Sequence, residues 1–289
     1  MTSWEKEVAQ HFDKSARSYG DSYNGDTTSS HFFRTRQKII MSLLSKLSGG
    51  TLLDIGCGPG LMAEPCASQG FRYFGIDISE GMISECRNKS INLNAARFFV
   101  GKMQSLPFAD DFFDVLLCLG ALEYVPAAEE VPAHVEMIRV VKPGGLLIIS
   151  YLNRVSPYWL WSRLVYWKMR LMKSYINGLI YGGCEEYRVD QVQIRQFTEH
   201  SSHRVLKRHH LNVIQTLYYG FNIFLQPLDH KFPHLAVTTS KKLERLCNTG
   251  LRRLAMAFIM VARKEARSAS TALNPSAPPS LDTAATSSE

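Results

Sequence analysis

Leu52-Leu53-Asp54-Ile55-Gly56-Cys57-Gly58-Pro59-Gly60 is the stretch that decides the fold. Thr51–Ile55 is short and mostly apolar, and reads as a buried strand. Three glycines come within the next five residues, letting the backbone turn tightly and approach a ligand closely. A helical pattern then runs to about Ser68, which places a helix N-terminus with unpaired N–H groups beside the loop. A glycine loop alone is equally the mark of a plain tight turn. The next strand narrows the reading: Tyr73–Ile76 ends at Asp77, where a carboxylate can accept both hydroxyls of a ribose lying over the loop. The third glycine comes one position too early for GxGxxG, and there is no GxxxxGK[ST]. The pattern therefore fits a nucleoside ligand without a pyrophosphate.

The alternation continues outward. Ala96–Val100, Phe113–Leu119 and Leu146–Tyr151 read as further strands, with helices through Arg87 and over Val131–Val140 between them. Asn212–Phe224 and Met256–Arg263 complete seven strands, and Ser240–Leu254 reads as a basic helix. Upstream, Trp4–Tyr19 places Val8, Phe12 and Ala16 on one helical face. Asp21–Ser30 is rich in small polar residues and reads as loop, and Phe32–Leu47 as a helix stopped by Gly49-Gly50. The expected fold class is α/β, with helices on both sheet faces. The expected divisions are N-terminal helices over the site (1–48), a ligand-binding core (49–150), a basic insert (151–210), the last strands and helix (211–264), and a disordered tail (265–289).

Composition bounds the function. The 289 residues carry 33 Lys plus Arg against 26 Asp plus Glu, a net +7. Residues 151–210 hold ten basic and four acidic residues, a net +6, and three of the four tryptophans. That excess is too local for a nucleic-acid-binding protein. The six cysteines form no CxxC pair and match no zinc spacing, so no metal site and a reducing, cytoplasmic location are expected. Glu5, Lys6 and Glu7 stand where a signal peptide needs an apolar core, and no 18-residue uncharged apolar run exists.

LLDIGCGPG, GIDIS, SLPFADDFFDVLLCLGALEYV and VVKPGGLLIIS, in this order and spacing, resemble the signature segments of class I S-adenosylmethionine-dependent methyltransferases. The likeness is to the small-molecule branch that contains the ubiquinone/menaquinone-type enzymes. It is strong over residues 35–150 and loose over 195–264. It implies a Rossmann-like seven-stranded sheet with a helical cap, and S-adenosylmethionine as cofactor. By the same resemblance, Asp54 fixes the loop or the ligand's ammonium group, while Gly56, Cys57, Gly58 and Gly60 pack against the methionine part. Asp77 holds the ribose, Ile78, Met103 and Gln104 border the adenine, and Leu119 lies beside the methionine moiety. Family members often carry an acidic residue where Lys102 stands, and a lysine cannot accept the adenine amino group's hydrogen bond. Gln104, backbone groups or packing must then hold the base.

Ser156–Ile176 has a wide apolar helical face interrupted only by Lys168. Three readings stay open: a lid packed on the core, a lid lining a greasy acceptor pocket, or a peripheral membrane contact through 156–176. Candidate catalytic residues are Glu123 at the carboxyl end of the fourth strand, Tyr19 on the covering segment, and His200, one turn from His203. The expected reaction is methyl transfer to an oxygen or carbon of a hydrophobic small molecule, polyketide-like, quinone-like or another secondary metabolite. The absence of an NPPY signature turns the reading away from nitrogen. A membrane-associated lipid methyltransferase and a non-catalytic cofactor-binding protein are the alternatives. The oligomeric state stays open.

Overall fold

The computed structural model describes residues 1–89, 94–162, 164, 168, 192, 194–224 and 228–266. Seven strands form one sheet: β1 (Gly50–Ile55), β2 (Phe71–Asp77), β3 (Ala96–Val100), β4 (Phe113–Cys118), β5 (Val141–Leu152), β6 (Leu211–Tyr219) and β7 (Ala257–Lys264), in the order β3-β2-β1-β4-β5-β7-β6. Neighbours from β3 to β5 run parallel, and β7 is antiparallel to both β5 and β6. This is the expected Rossmann-like sheet. The order reverses beside β1, so its carboxyl end opens a crevice where such sheets bind ligands.

Alternation along β1 sends successive side chains to opposite layers. Leu53 and Ile55 join Leu116, Met137 and Leu206 on one side, beneath α6 (Glu130–Val140) and α8 (Glu199–Arg208). Leu52 joins Ile40, Cys66 and Ile83 on the other, beneath α3 (Thr28–Leu44), α4 (Ala63–Ser68) and α5 (Glu80–Lys89). At the end away from the crevice, Asp114 ties three strands together. It accepts from the Thr51 amide (2.8 Å) and hydroxyl (2.7 Å) and meets Lys142 Nζ at 2.7 Å.

α1 (Ser3–Tyr19) starts in a capping box: the Thr2 hydroxyl accepts from Glu5 N (3.4 Å) and Thr2 N donates to Glu5 Oε2 (2.7 Å). Val8 and Ala16 are buried as their spacing predicts, while Phe12 faces a cavity.

Several expectations need correcting. The polar stretch Asp21–Ser30 is not a loop throughout. It forms α2 (Asp21–Asn24), and α3 begins at Thr28, where the Thr27 side chain accepts from Ser30 N (3.1 Å). The small polar residues that favour loops are also those that cap helices, and here they cap. α3 ends at Leu44 rather than Leu47, because Ser45 caps it. The basic segment Ser240–Leu254 is not one helix. A helix starts at Pro233, suited to the first turn, runs to Leu243 and gives way to 3₁₀ turns at Glu244–Asn248 and Gly250–Leu254. β6 stops at Tyr219, not Phe224, since Gly220 turns the chain at φ 76°. α7 spans Pro157–Trp161, and most of the expected Ser156–Ile176 helix lies outside the described residues, as does the tail from residue 267. No described helix is long and apolar enough to cross a membrane.

Candidate active site

The crevice is a cavity of about 1050 Å³, part of it open to solvent. Its floor is the carboxyl ends of β1, β2 and β4, and its roof is α1, α2 and α3. Asp54, Gly56, Cys57, Gly58, Asp77, Ile78, Met103, Gln104 and Leu119 all line it. Sequence reasoning singles out those nine together. Gly60 does not line it: a Cβ there would meet Cys86 Sγ at 3.1 Å, so it shapes the turn from behind.

The glycine loop is held by β2. Gly56 N and Cys57 N both donate to Ile76 O, at 2.8 and 3.2 Å. Gly58 N donates to Asp77 Oδ2 at 2.9 Å, and Ser79 N to Oδ1 at 2.9 Å. The helix expected after the loop starts only at Ala63, so these amides are not its N-terminal amides. Gly56 sits at φ 67°, and a Cβ on it would come within 2.3 Å of Ala121 Cβ, so any side chain there would force Ala121 to shift.

Burial pushes the Asp77 carboxyl above its usual range, against the pull of the amides it accepts. Each of its oxygens keeps a lone pair for a hydroxyl. Asp54 is buried at the end of β1 and accepts from the Tyr73 hydroxyl at 2.6 Å. Burial raises it to about 7, moderated by that bond and by Arg36. Such a carboxyl is poised to ionise when a cation arrives. Gln104 Nε2 is buried without a partner, a donor suited to a ring nitrogen of a purine. Lys102, which replaces the acidic residue of the family pattern, serves the roof instead. Its Nζ pairs with Glu5 Oε1 at 3.1 Å and pins α1 over the cavity.

The opposite wall is aromatic. Phe12, Tyr19, Tyr23, Phe33 and Tyr124 line it, with Phe12 edge-on to Tyr124 (5.0 Å) and Tyr23 stacked on Phe33 (5.1 Å). Tyr19 lies over the loop, 3.8 Å from where a Gly58 Cβ would stand. Glu123 is buried in the turn Leu122–Tyr124, just behind the cavity wall, with Oε2 unpartnered. Burial raises its carboxyl to about 7, and Arg36 nearby moderates the rise.

His200 is not brought to this site. It is exposed on α8, where its Nε2 meets an Arg204 guanidinium nitrogen at 2.6 Å, and no His/Cys/Asp/Glu group among the described residues could hold a metal. Sequence reasoning misses Arg36, which lines the cavity from α3. It also misses Glu5 and Asp13, which fasten α1. No local pattern marks any of the three.

Residues 53–149 match the model of a methyltransferase domain family. An uncharacterized methyltransferase of Mycobacterium avium is 36% identical over 111 residues, 38% of this chain and 43% of that protein. A demethylmenaquinone methyltransferase of Renibacterium salmoninarum is 31% identical over 144 residues, 50% of this chain and 58% of that one. The chain thus spans about half the length of the relatives it matches. Among solved structures, magnesium protoporphyrin IX methyltransferase of Synechocystis PCC 6803 with bound S-adenosylmethionine superposes with a TM-score of 0.58 at 16% identity, covering 92% of this chain and 99% of that one. Over residues 53–149 this chain therefore matches the methyltransferase domain family, and the sheet carrying those residues has the class I S-adenosylmethionine-dependent methyltransferase fold.

Proposed function

We propose that this protein transfers the methyl group of S-adenosylmethionine to an oxygen or carbon of a hydrophobic small molecule. The observation that carries the reading is the continuity of one cavity from Asp77 and the glycine loop to the aromatic wall. A nucleoside half and an acceptor half thereby share a single space.

The residues fit the cofactor. Asp77 would hold the ribose hydroxyls, Ile78 and Met103 would pack on the base, Gln104 would donate to it, and Asp54 would face the ammonium group. When bound, S-adenosylmethionine supplies an activated methyl group on a sulfonium. The chain's part is then alignment and exclusion of water. The aromatic wall holds a flat apolar acceptor against the loop, with Tyr19 over Gly58 limiting how it approaches. Glu123, buried just behind the wall with Oε2 unpartnered and its carboxyl raised to about 7, would be the candidate base for an acidic acceptor hydroxyl.

The test is calorimetric titration with S-adenosylhomocysteine and with NAD, followed by transfer of labelled methyl to a panel of phenolic, quinol and polyketide acceptors. The expected result is binding of S-adenosylhomocysteine only, and label in at least one hydrophobic acceptor. Absence of S-adenosylhomocysteine binding would end the reading, whereas binding without transfer would favour a non-catalytic role.

A second reading, an acceptor drawn from a membrane surface, is favoured by Leu160 and Leu164, 43% and 50% exposed, with exposed Lys168 close by in sequence. Sedimentation with anionic liposomes, lost on Leu164→Ser, would support it.

A further inference from the structure

The chain between β6 and β7 carries a basic surface that lies outside the cavity lining. Ala257, the first residue of β7, pairs with Tyr219 at the end of β6 and with Leu152 at the end of β5. The chain therefore leaves and re-enters the sheet at its carboxyl end, where the cavity opens. Between the two strands come α9 (Leu228–Lys231), α10 (Pro233–Leu243) and the two 3₁₀ turns. α10 packs on α3 in the cavity roof, and the Tyr158 hydroxyl of α7 donates to Asp229 of α9 at 2.8 Å.

Residues 228–254 expose Lys231, Lys241, Lys242, Arg245, Arg252 and Arg253. The acids of the same stretch are Asp229 and Glu244, and neither is exposed. Asp229 is buried, and Glu244 lies 3.5 Å from His31 Nε2 on α3. Asp26 reaches the stretch from the turn before α3 and meets His234 Nδ1 at 3.2 Å. Large apolar side chains stand out between the cations: Phe232 is 47% exposed, Leu235 56%, Leu251 51% and Leu254 43%. On α10, Ala236, Val237 and Ser240 take the buried face, which leaves Leu235, Thr238 and Lys242 along one outward ridge. Lys231 Nζ lies 5.8 Å from the Phe232 ring centre, so cation and apolar group are neighbours rather than separate patches.

This mixture selects among partners. A second copy seated on the same face would set cation against cation. A nucleic acid would neutralise the cations and leave the leucines in water. A bilayer with anionic headgroups serves both kinds of side chain. The basic heads stay at headgroup level while Phe232 and the leucines enter the acyl boundary.

We infer that the surface of residues 228–254 docks on an anionic lipid bilayer, with the cavity end of the sheet toward the membrane. The inference deepens the reading of an acceptor drawn from a membrane, on which its functional meaning rests, and assigns the contact to α10 and the 3₁₀ turns. Docking itself needs neither cofactor nor acceptor.

The experiment sediments the full chain with sucrose-loaded vesicles of phosphatidylcholine alone and of phosphatidylcholine with phosphatidylglycerol. Wild type is compared with Lys241→Glu/Lys242→Glu, with Phe232→Ser/Leu235→Ser, and with Leu164→Ser, which reports on the segment around α7. Thermal melting checks that each variant folds, and Leu251→Ser/Leu254→Ser replaces the Phe232 pair if that one does not. Wild type is expected to sediment with the anionic vesicles and not with phosphatidylcholine alone. Charge reversal should weaken partitioning at least about 10-fold, since each basic residue near such a surface contributes about fivefold. The apolar pair should weaken it about 10-fold as well. Failure of wild type to sediment with the anionic vesicles overturns the inference. So does loss on Leu164→Ser with both double variants unaffected, which would keep the membrane reading and place its contact elsewhere. Loss on charge reversal with no effect of the apolar pair would make the surface a site for a soluble polyanion and overturn the bilayer. Calorimetric binding of S-adenosylhomocysteine should be equal in all these proteins, and its absence from wild type would end the methyl-transfer reading without touching the docking result.

Discussion

The side chains of Asp13 and Ser79, 66 residues apart in sequence, meet at 2.6 Å, with the serine hydroxyl donating to the carboxylate. The same Asp13 oxygen accepts from Gly81 N at 2.9 Å. The first turn of α5 is thus capped by a residue from another helix, and an acidic group is favoured there by the helix dipole. Ser79 N in turn donates to Asp77, which holds Gly58. A line of hydrogen bonds therefore connects the roof of the cavity to its floor.

Asp13→Ala should lower stability by about 0.5–2 kcal/mol, the usual cost of a lost cap, and weaken S-adenosylhomocysteine several-fold. Asp13→Asn keeps an acceptor oxygen and should recover most of both. Urea denaturation and calorimetric titration on the two variants check this. An Asp13→Ala protein with unaltered affinity would show that the roof and floor are independent.

Asp77→Ala should weaken S-adenosylhomocysteine about 10–100-fold, because charge-assisted hydrogen bonds to the ribose go unmade. Unchanged affinity in the variant contradicts the ribose assignment.

Asp54 gives a pH dependence whose sign is fixed by its raised carboxyl, about 7 when folded against an ordinary 3.8. Below 3.8 it is neutral in both folded and unfolded chains, and its contribution to stability is fully present. Between 3.8 and 7 the unfolded chain releases the proton and the folded one retains it, so stability falls as pH rises. Glu123, raised from 4.5 to about 7, acts in the same direction. The melting temperature of the ligand-free protein should drop less between about pH 5 and pH 8 in Asp54→Asn than in wild type. If the ammonium group of S-adenosylhomocysteine faces the ionised Asp54 as proposed, the ligand should shrink the wild-type drop. A drop as large in Asp54→Asn as in wild type would refute this.

Gly56→Ala should cost more than Gly58→Ala. Both glycines have positive φ, 67° and 53°, which costs an alanine about 1–2 kcal/mol. At Gly58 the nearest atom to a new Cβ is a Tyr19 carbon at 3.8 Å, so little more is added. At Gly56 the Cβ would collide with Ala121 at 2.3 Å, adding about 1–3 kcal/mol of overpacking. Equal losses in denaturant titrations would show that Ala121 moves freely aside.

Much of this site is legible in the sequence because its parts are local. Asp54 ends one strand, the glycines follow in its turn, and Asp77 ends the next strand, so strand pattern and a glycine run locate the loop and Asp77, while the family resemblance adds Asp54 and Cys57. Gln104 comes from family resemblance, and its lack of a partner is visible only in three dimensions. Arg36 lies within a helix of ordinary amphipathic pattern, and in the cavity it packs against Gly120, 84 positions away in the chain. Lys102 looks like a defect in the adenine subsite until Glu5, 97 residues earlier, is seen to claim it. His200 misleads for the opposite reason: a histidine cluster in sequence is a chemical composition, and α8 turns this one toward solvent. Pro233 is a helix-start signal masked by the basic residues after Ser240, which draw the reading downstream.

The position of β7 has a consequence for how the chain is made. This strand comes after every other in sequence, yet it lies between β5 and β6, pairing with Leu146–Leu152 on one side and Leu211–Tyr219 on the other. Its residues Ala257 to Met260 have no solvent exposure at all. A nascent chain leaving the ribosome can zip β1 to β5 as soon as they are free, but β6 has no neighbour to join until residue 264 has emerged. Until then the open edge of β5 is a template for pairing with other chains, the hazard of any unprotected strand. The half that carries the glycine loop can thus assemble early, and β7 enters afterwards as a keystone, closing the described sheet between β5 and β6.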